Sequence, residues 1–117
     1  MGIEHKYNKR LSGINIAAYS TEALRALVRD ILEEKIFGIG FSPYIEGQGP
    51  GTQITAEQIR ARLRIVQPYV EWIRTFGCTE GNELIPQIAA EMGLKTMVGV
   101  WLDEDYEHNE LELSNAI

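Results

Sequence analysis

Cysteine is almost absent from this chain. Cys78 is the single one among 117 residues, so there is no internal disulfide framework and no cysteine-based metal site. A buried or half-buried structural thiol is its simplest reading, since a free cysteine usually behaves as a small hydrophobe. Histidine is nearly as scarce. His5 and His108 stand near opposite ends without ligand spacing between them, and no zinc site is expected. Basic charge is in short supply too: 11 Lys and Arg face 17 Asp and Glu, a net charge of -6. That balance argues against a nucleic-acid partner, which needs a concentrated basic footprint. Arg60, Arg62 and Arg64 alternate with Ala61 and Leu63, which fits a solvated helix surface. Long apolar runs are missing as well. Nothing approaches the length of a membrane span, and Met1 to Arg10 lacks the apolar core of a signal peptide. Met1-Gly2 fits a myristoylation pattern poorly, because position 6 is Lys where the pattern asks for Ser or Thr. The expectation is a soluble, cytoplasmic protein with no membrane partner.

What is present is an ordinary globular balance, 44% apolar and 24% charged, enough for one domain or part of one. Three short runs rich in β-branched and aromatic residues punctuate the chain: Ile36 to Ser42, Val70 to Cys78 and Thr96 to Leu102. Each is too short for a helix and is bounded by Gly, Pro or charged residues. A helical pattern separates each pair, which predicts an α/β fold of three parallel strands with alternating helices. Working residues in such sheets sit at the carboxyl ends of the strands. Those ends carry Ser42-Pro43-Tyr44, Arg74-Thr75-Phe76 and Trp101-Leu102-Asp103.

The first 35 residues form an N-terminal segment. Leu11 to Ile16 is a short extended piece or a loop, and Ser20 or Thr21 caps an amphipathic helix. Its stripe of Leu24, Leu27, Val28, Ile31 and Leu32 is expected to pack on the core, most simply on the strand that follows. Residues 36–117 form the second unit. In its first strand Gly38 and Gly40 share a face and predict close approach of a backbone or of packed side chains. No third Gly follows at the distance a dinucleotide fingerprint needs, and no cofactor is expected. The loop Glu46-Gly-Gln-Gly-Pro-Gly51 is either a functional loop or a flexible connector. Thr55 to Gln58 reads as a capping box in which Gln58 reaches back to the cap. That helix carries Ile59, Leu63 and Val66, and Pro68 ends it. The next runs from near Asn82 with Pro86 in its first turn. It buries Leu84, Ile85, Ile88, Ala89 and Met92 and stops at Gly93. Trp72 is expected to face a helix. Asp103 to Glu110 reads as a solvated acidic loop entering a helix N-terminus, and Leu111, Leu113 and Ile117 suggest a last helix beginning.

The spacing of the strands is that of βα units in an open sheet or barrel. An eight-stranded barrel takes about 250 residues, and three parallel strands leave two unprotected edges. The chain therefore reads as a partial barrel that is completed by missing C-terminal units or by self-association.

With these pieces in hand, the sequence from Phe37 onward resembles the N-terminal part of glycoside hydrolase family 17, the β-1,3-glucanase-like TIM barrels, in their bacterial and fungal branches. The residues that carry the resemblance are Gly40-Phe-Ser-Pro-Tyr44, the Gly-rich loop and Ile54-Thr-Ala-Glu-Gln-Ile59. They continue through Ile73-Arg-Thr-Phe-Gly-Cys78, Leu84-Ile-Pro86, Met92-Gly-Leu-Lys95, Val98-Gly-Val-Trp-Leu-Asp103 and Asn109-Glu110. The resemblance implies a retaining mechanism with two carboxylates about 5 Å apart. In the family these come from the fourth and seventh strands, whereas this chain reaches the third. Asn109-Glu110 falls in the helix after strand three and is not taken as the catalytic acid. The chain alone is thus expected to be inactive, with no catalytic residue of its own.

What the resemblance places here is part of a sugar-binding cleft for a β-glucan oligosaccharide. Tyr44 and Arg74 would contact sugar hydroxyls or the nucleophile, and Phe76 and Trp101 would offer ring faces, with Asp103 beside them. Core packing is the alternative for the two aromatics, and a buried salt bridge with Glu46 or Asp103 is the alternative for Arg74. A non-catalytic carbohydrate-binding or self-assembling module stands as the second reading of the whole.

Overall fold

A computed structural model describes residues 13–117. The readings made for Met1 to Arg10, His5 included, and for Leu11 and Ser12 lie outside the described residues. A single 3-10 turn at Ile16–Ala18 leads into helix α1, Thr21–Glu33. Ser20 is its N-cap, with the hydroxyl accepting from the Ala23 N–H at 3.1 Å. Strand β1 is Ile36–Gly40, helix α2 Ala56–Val66, strand β2 Val70–Arg74, helix α3 Ile85–Glu91, strand β3 Lys95–Met97 and helix α4 Tyr106–Ala116. The three strands form one open sheet in the order β1-β2-β3, parallel throughout. This is the alternation of strands and helices that the sequence predicts.

The core lies where α2 and α3 cover the sheet. Ile59 and Leu63 from α2, Val70 and Ile73 from β2, and Ile85, Ile88 and Ala89 from α3 belong to one buried cluster. Helix α3 ends as expected, with Gly93 at φ 78°. The N–H groups of Gly93 and Leu94 return to the carbonyls of Ala90 and Ala89, which satisfies the last carbonyls of the helix.

Several expectations need correction. No residue of α1 is buried. Val28 in the middle of its apolar stripe is 53% exposed, because the helix meets the body mainly at the 3-10 turn Gln67–Tyr69. An open groove remains between the stripe and Tyr69. Leu84, placed in the core by its spacing, sits in the 3-10 turn Asn82–Leu84 and is exposed. Gln58 does not close a capping box. Thr55 caps α2 by accepting from the Gln58 N–H, but the Gln58 side chain donates to the carbonyl of Pro43 at 2.8 Å and to Gln48 at 2.6 Å. It ties the loop after β1 to the helix. Trp72 is half-buried, its indole stacked on Phe37 at 6.0 Å with the Lys95 ammonium 5.5 Å from its centroid.

The third strand is shorter than its apolar run. Its ladder with β2 ends at Met97, since the N–H groups beyond it turn to side chains. Gly99 donates to the Thr75 hydroxyl at 3.1 Å, and Trp101 donates to the Glu112 carboxylate at 3.0 Å. The glycines of β1 behave as predicted. A Cβ on Gly38 would stand 2.9 Å from the Cβ and carbonyl oxygen of Trp72, and one on Gly40 would stand 3.1 Å from the Phe76 ring.

Candidate functional site

The loops that leave the carboxyl ends of the three strands enclose a cleft of about 540 Å³. After β1 come Tyr44 and the Pro50-Gly51 corner of the Gly-rich loop. That corner is pinned across the cleft by the Gly51 N–H, which donates to the Glu80 carboxylate at 2.8 Å. The loop after β2 contributes Phe76, Thr79 and Asn82, and the one after β3 contributes Trp101 and Asp103. Helix α4 closes the rear with His108 and Glu112.

Four of the five residues singled out in the sequence meet at this cleft. Tyr44 is half-buried, with its hydroxyl 3.5 Å from the Asn82 amide nitrogen, which donates to it. Phe76 and Trp101 are 44% and 63% exposed, so neither is a core side chain. Asp103 faces His108, its Oδ2 at 3.6 Å from Nδ1. Its backbone is held from both sides by the Asn109 amide, which gives Asn109 a structural role in the loop before α4. Arg74 does not line the cleft. Its side chain is exposed, not buried in a salt bridge, and its guanidinium carbon lies 5.2 Å from the Phe76 ring centroid. A cation at that distance is attracted to the ring face, so Arg74 backs Phe76.

The residue that sequence reasoning missed is Glu112. It is 1% exposed, the deepest charged side chain among the described residues. Its Oε2 accepts from the backbone N–H of Cys78 at 2.8 Å and of Trp101 at 3.0 Å. Its Oε1 accepts from the Thr79 hydroxyl at 2.7 Å and lies 3.6 Å from His108 Nε2. A buried carboxylate survives only with its hydration replaced in this way. The helix that Leu111, Leu113 and Ile117 suggested is present, but these three side chains are exposed. The available signal was polar: His108, Glu112 and Asn115 share one face at helical spacing.

Cys78 is 2% exposed, as a structural thiol should be. Its Sγ donates to the Gly99 carbonyl at 3.4 Å. Burial, the Glu112 carboxylate and Glu83 together push the thiol above its usual range, which suppresses the thiolate a nucleophile would need. Among the described residues, no group of three or more His, Cys, Asp and Glu is placed to hold a metal ion. No helix there is long and apolar enough to cross a membrane. The cleft thus offers two open aromatic rings, oriented hydroxyl and amide groups and an exposed carboxylate, a set suited to recognising a polyhydroxylated ligand. Against protein-family models, curated proteins and solved structures, the chain has no match.

Proposed function

We propose that the strand-end cleft binds an oligosaccharide of the β-glucan class, and that this chain supplies a sugar-binding floor without cleaving the glycosidic bond. The observation that carries this reading is the placement of Phe76 and Trp101. Both rings are open to solvent, yet both line a concave cleft beside Tyr44, Asn82 and Asp103. Pyranose rings present C–H faces that stack on aromatic surfaces, while their equatorial hydroxyls seek carboxylate, amide and hydroxyl partners at the rim. The substrate class rests on the resemblance to glycoside hydrolase family 17, and so does the expectation that the two carboxylates of a retaining mechanism belong to later strands. Calorimetric titration with β-1,3-gluco-oligosaccharides tests this, with a β-1,4-linked series as comparison. Saturable heat with a shift in tryptophan emission is the expected result. No heat and no shift with either series would sink the reading.

A second reading concerns assembly. The outer edge of β3 pairs with no strand among the described residues, and Met97 on it is 59% exposed. Unpaired parallel edges are normally covered, which favours self-association through this edge. Light scattering across a concentration series tests it, and a monomer mass throughout removes it.

A further inference from the structure

Helix α4 turns its polar stripe inward, and that stripe grips two of the loops that form the cleft. Glu112 holds Cys78 and Thr79 in the loop after β2 and Trp101 in the loop after β3. One turn on, the Asn115 amide donates to the Cys78 carbonyl at 2.7 Å. Residue 78 is therefore held at its N–H by one α4 side chain and at its C=O by another. The loop after β3 is tied at both ends, by the Gly99 contacts with Thr75 and Cys78 before Trp101 and by the Asn109 amide on Asp103 after it. Between those ties its backbone is held by the Trp101 N–H bond to Glu112. The indole of Trp101 reaches solvent from a backbone whose N–H is anchored on a carboxylate beneath it.

We infer that Glu112 is the positioning residue of the cleft. It acts on the ligand through Trp101 and Thr79, whose separation it sets, and a short charge-assisted clamp between the two loops keeps the ring and the hydroxyl in register. The identity of the ligand rests on the carbohydrate reading above; the clamp rests on the hydrogen bonds alone.

Glu112→Gln and Glu112→Ala separate the clamp from a general structural role. In the Gln variant the amide oxygen keeps both backbone N–H bonds, and its NH2 meets Thr79 and His108, each able to accept. The Ala variant leaves the two N–H groups unpaired. In the full chain, amide exchange followed by NMR is expected to accelerate at Cys78 and Trp101 in Glu112→Ala by about tenfold or more beyond the change at the β2 amides, which report any loss of global stability. Affinity for a β-1,3-gluco-oligosaccharide should fall about tenfold, and Glu112→Gln, which keeps the acceptor but loses its charge, should restore both quantities in part. Should Glu112→Ala fail to fold, Thr79→Val removes one arm of the clamp and is expected to weaken oligosaccharide binding with β2 still protected. Unchanged protection at Cys78 and Trp101 in the Ala variant overturns the inference. So does protection lost evenly across the sheet with no rescue by Gln. If those two amides respond as expected but the wild-type chain binds no oligosaccharide, the clamp stands and the ligand class falls.

Discussion

The ring of Phe76 covers the position where Gly40 would carry a side chain: a Cβ there would stand 3.1 Å from its Cζ. The strand end and the cleft's aromatic wall are thus fitted to each other. Gly40→Ala asks the exposed end of a ring to give by a few tenths of an ångström, so the stability change should stay within about 1 kcal/mol. The displaced ring should nonetheless weaken oligosaccharide binding. Gly38→Ala is a different case, since its Cβ meets the Trp72 backbone carbonyl at 2.9 Å, and backbone cannot swing aside. A loss of about 1–3 kcal/mol is expected there. Urea denaturation of the two variants checks the order, and equal losses would contradict it.

Trp101 gives the most direct test of the cleft. At 63% exposure its ring contributes little to the core, so Trp101→Ala should change unfolding free energy by less than about 1 kcal/mol. Loss of one stacking face should weaken β-glucan oligosaccharide binding by about tenfold or more. Phe76→Ala should act in the same direction. A Trp101 variant that unfolds would mean the ring is structural; one that binds as tightly as wild type would mean the sugar lies elsewhere.

The sheet was legible because its signals are local. Short apolar runs between Gly and Pro, and helix stops such as Pro68 and Gly93, act within a few residues of themselves. Tyr44, Phe76, Trp101 and Asp103 converge for the same reason, as each follows the end of a strand. Long-range decisions were not legible. Gln58 has the spacing of a capping residue, but the Pro43 carbonyl and Gln48, brought near by the loop, provide a better use for its amide. The stripe of α1 has strong helical period, yet period says nothing about what covers it. Arg74 sits at a strand end like the others, but its guanidinium lies against the Phe76 ring and outside the cleft lining.

Helix α4 is the sharpest case of burial contradicting hydropathy, and it carries its own prediction. Leu113 is 42% exposed and Glu112 1% exposed. Leu113→Gln should therefore be nearly silent, within about 0.5 kcal/mol. Glu112→Leu, which adds apolar surface at a buried position, should be strongly destabilising by about 3 kcal/mol or more, because it strands two backbone N–H groups and the Thr79 hydroxyl without an acceptor. Thermal melts of both variants decide the matter. The reverse order would place the leucine face against the core.

Across the body of the domain, Arg60 on α2 reaches Glu91 at the end of α3 with nitrogens at 3.0 and 2.9 Å. Both side chains are more than a third exposed, so water and salt screen the pair. Arg60→Ala should lower stability by less than about 1 kcal/mol, with the difference shrinking as ionic strength rises. A larger loss that persists in high salt would mean the arginine stem is packing between the helices.

The buried thiol predicts a dependence on alkaline pH. In the native chain Cys78 holds its proton more tightly than an exposed thiol does, because the desolvated site and the nearby Glu112 and Glu83 disfavour a thiolate. The folded state therefore binds more protons than the unfolded state once pH passes the ordinary thiol range, at about 8.5. Stability from this group is complete below that range and is lost as pH rises through the folded value. Tyrosines and lysines titrate in the same region, so the informative quantity is the difference between wild type and Cys78→Ala. The wild-type melting temperature should fall more steeply with pH than that of the variant. At about pH 8 the native thiol should resist alkylation and react only once denaturant is added. Parallel pH profiles, together with rapid labelling of the folded chain, would show that the thiol is neither buried enough nor close enough to its two carboxylates to feel them.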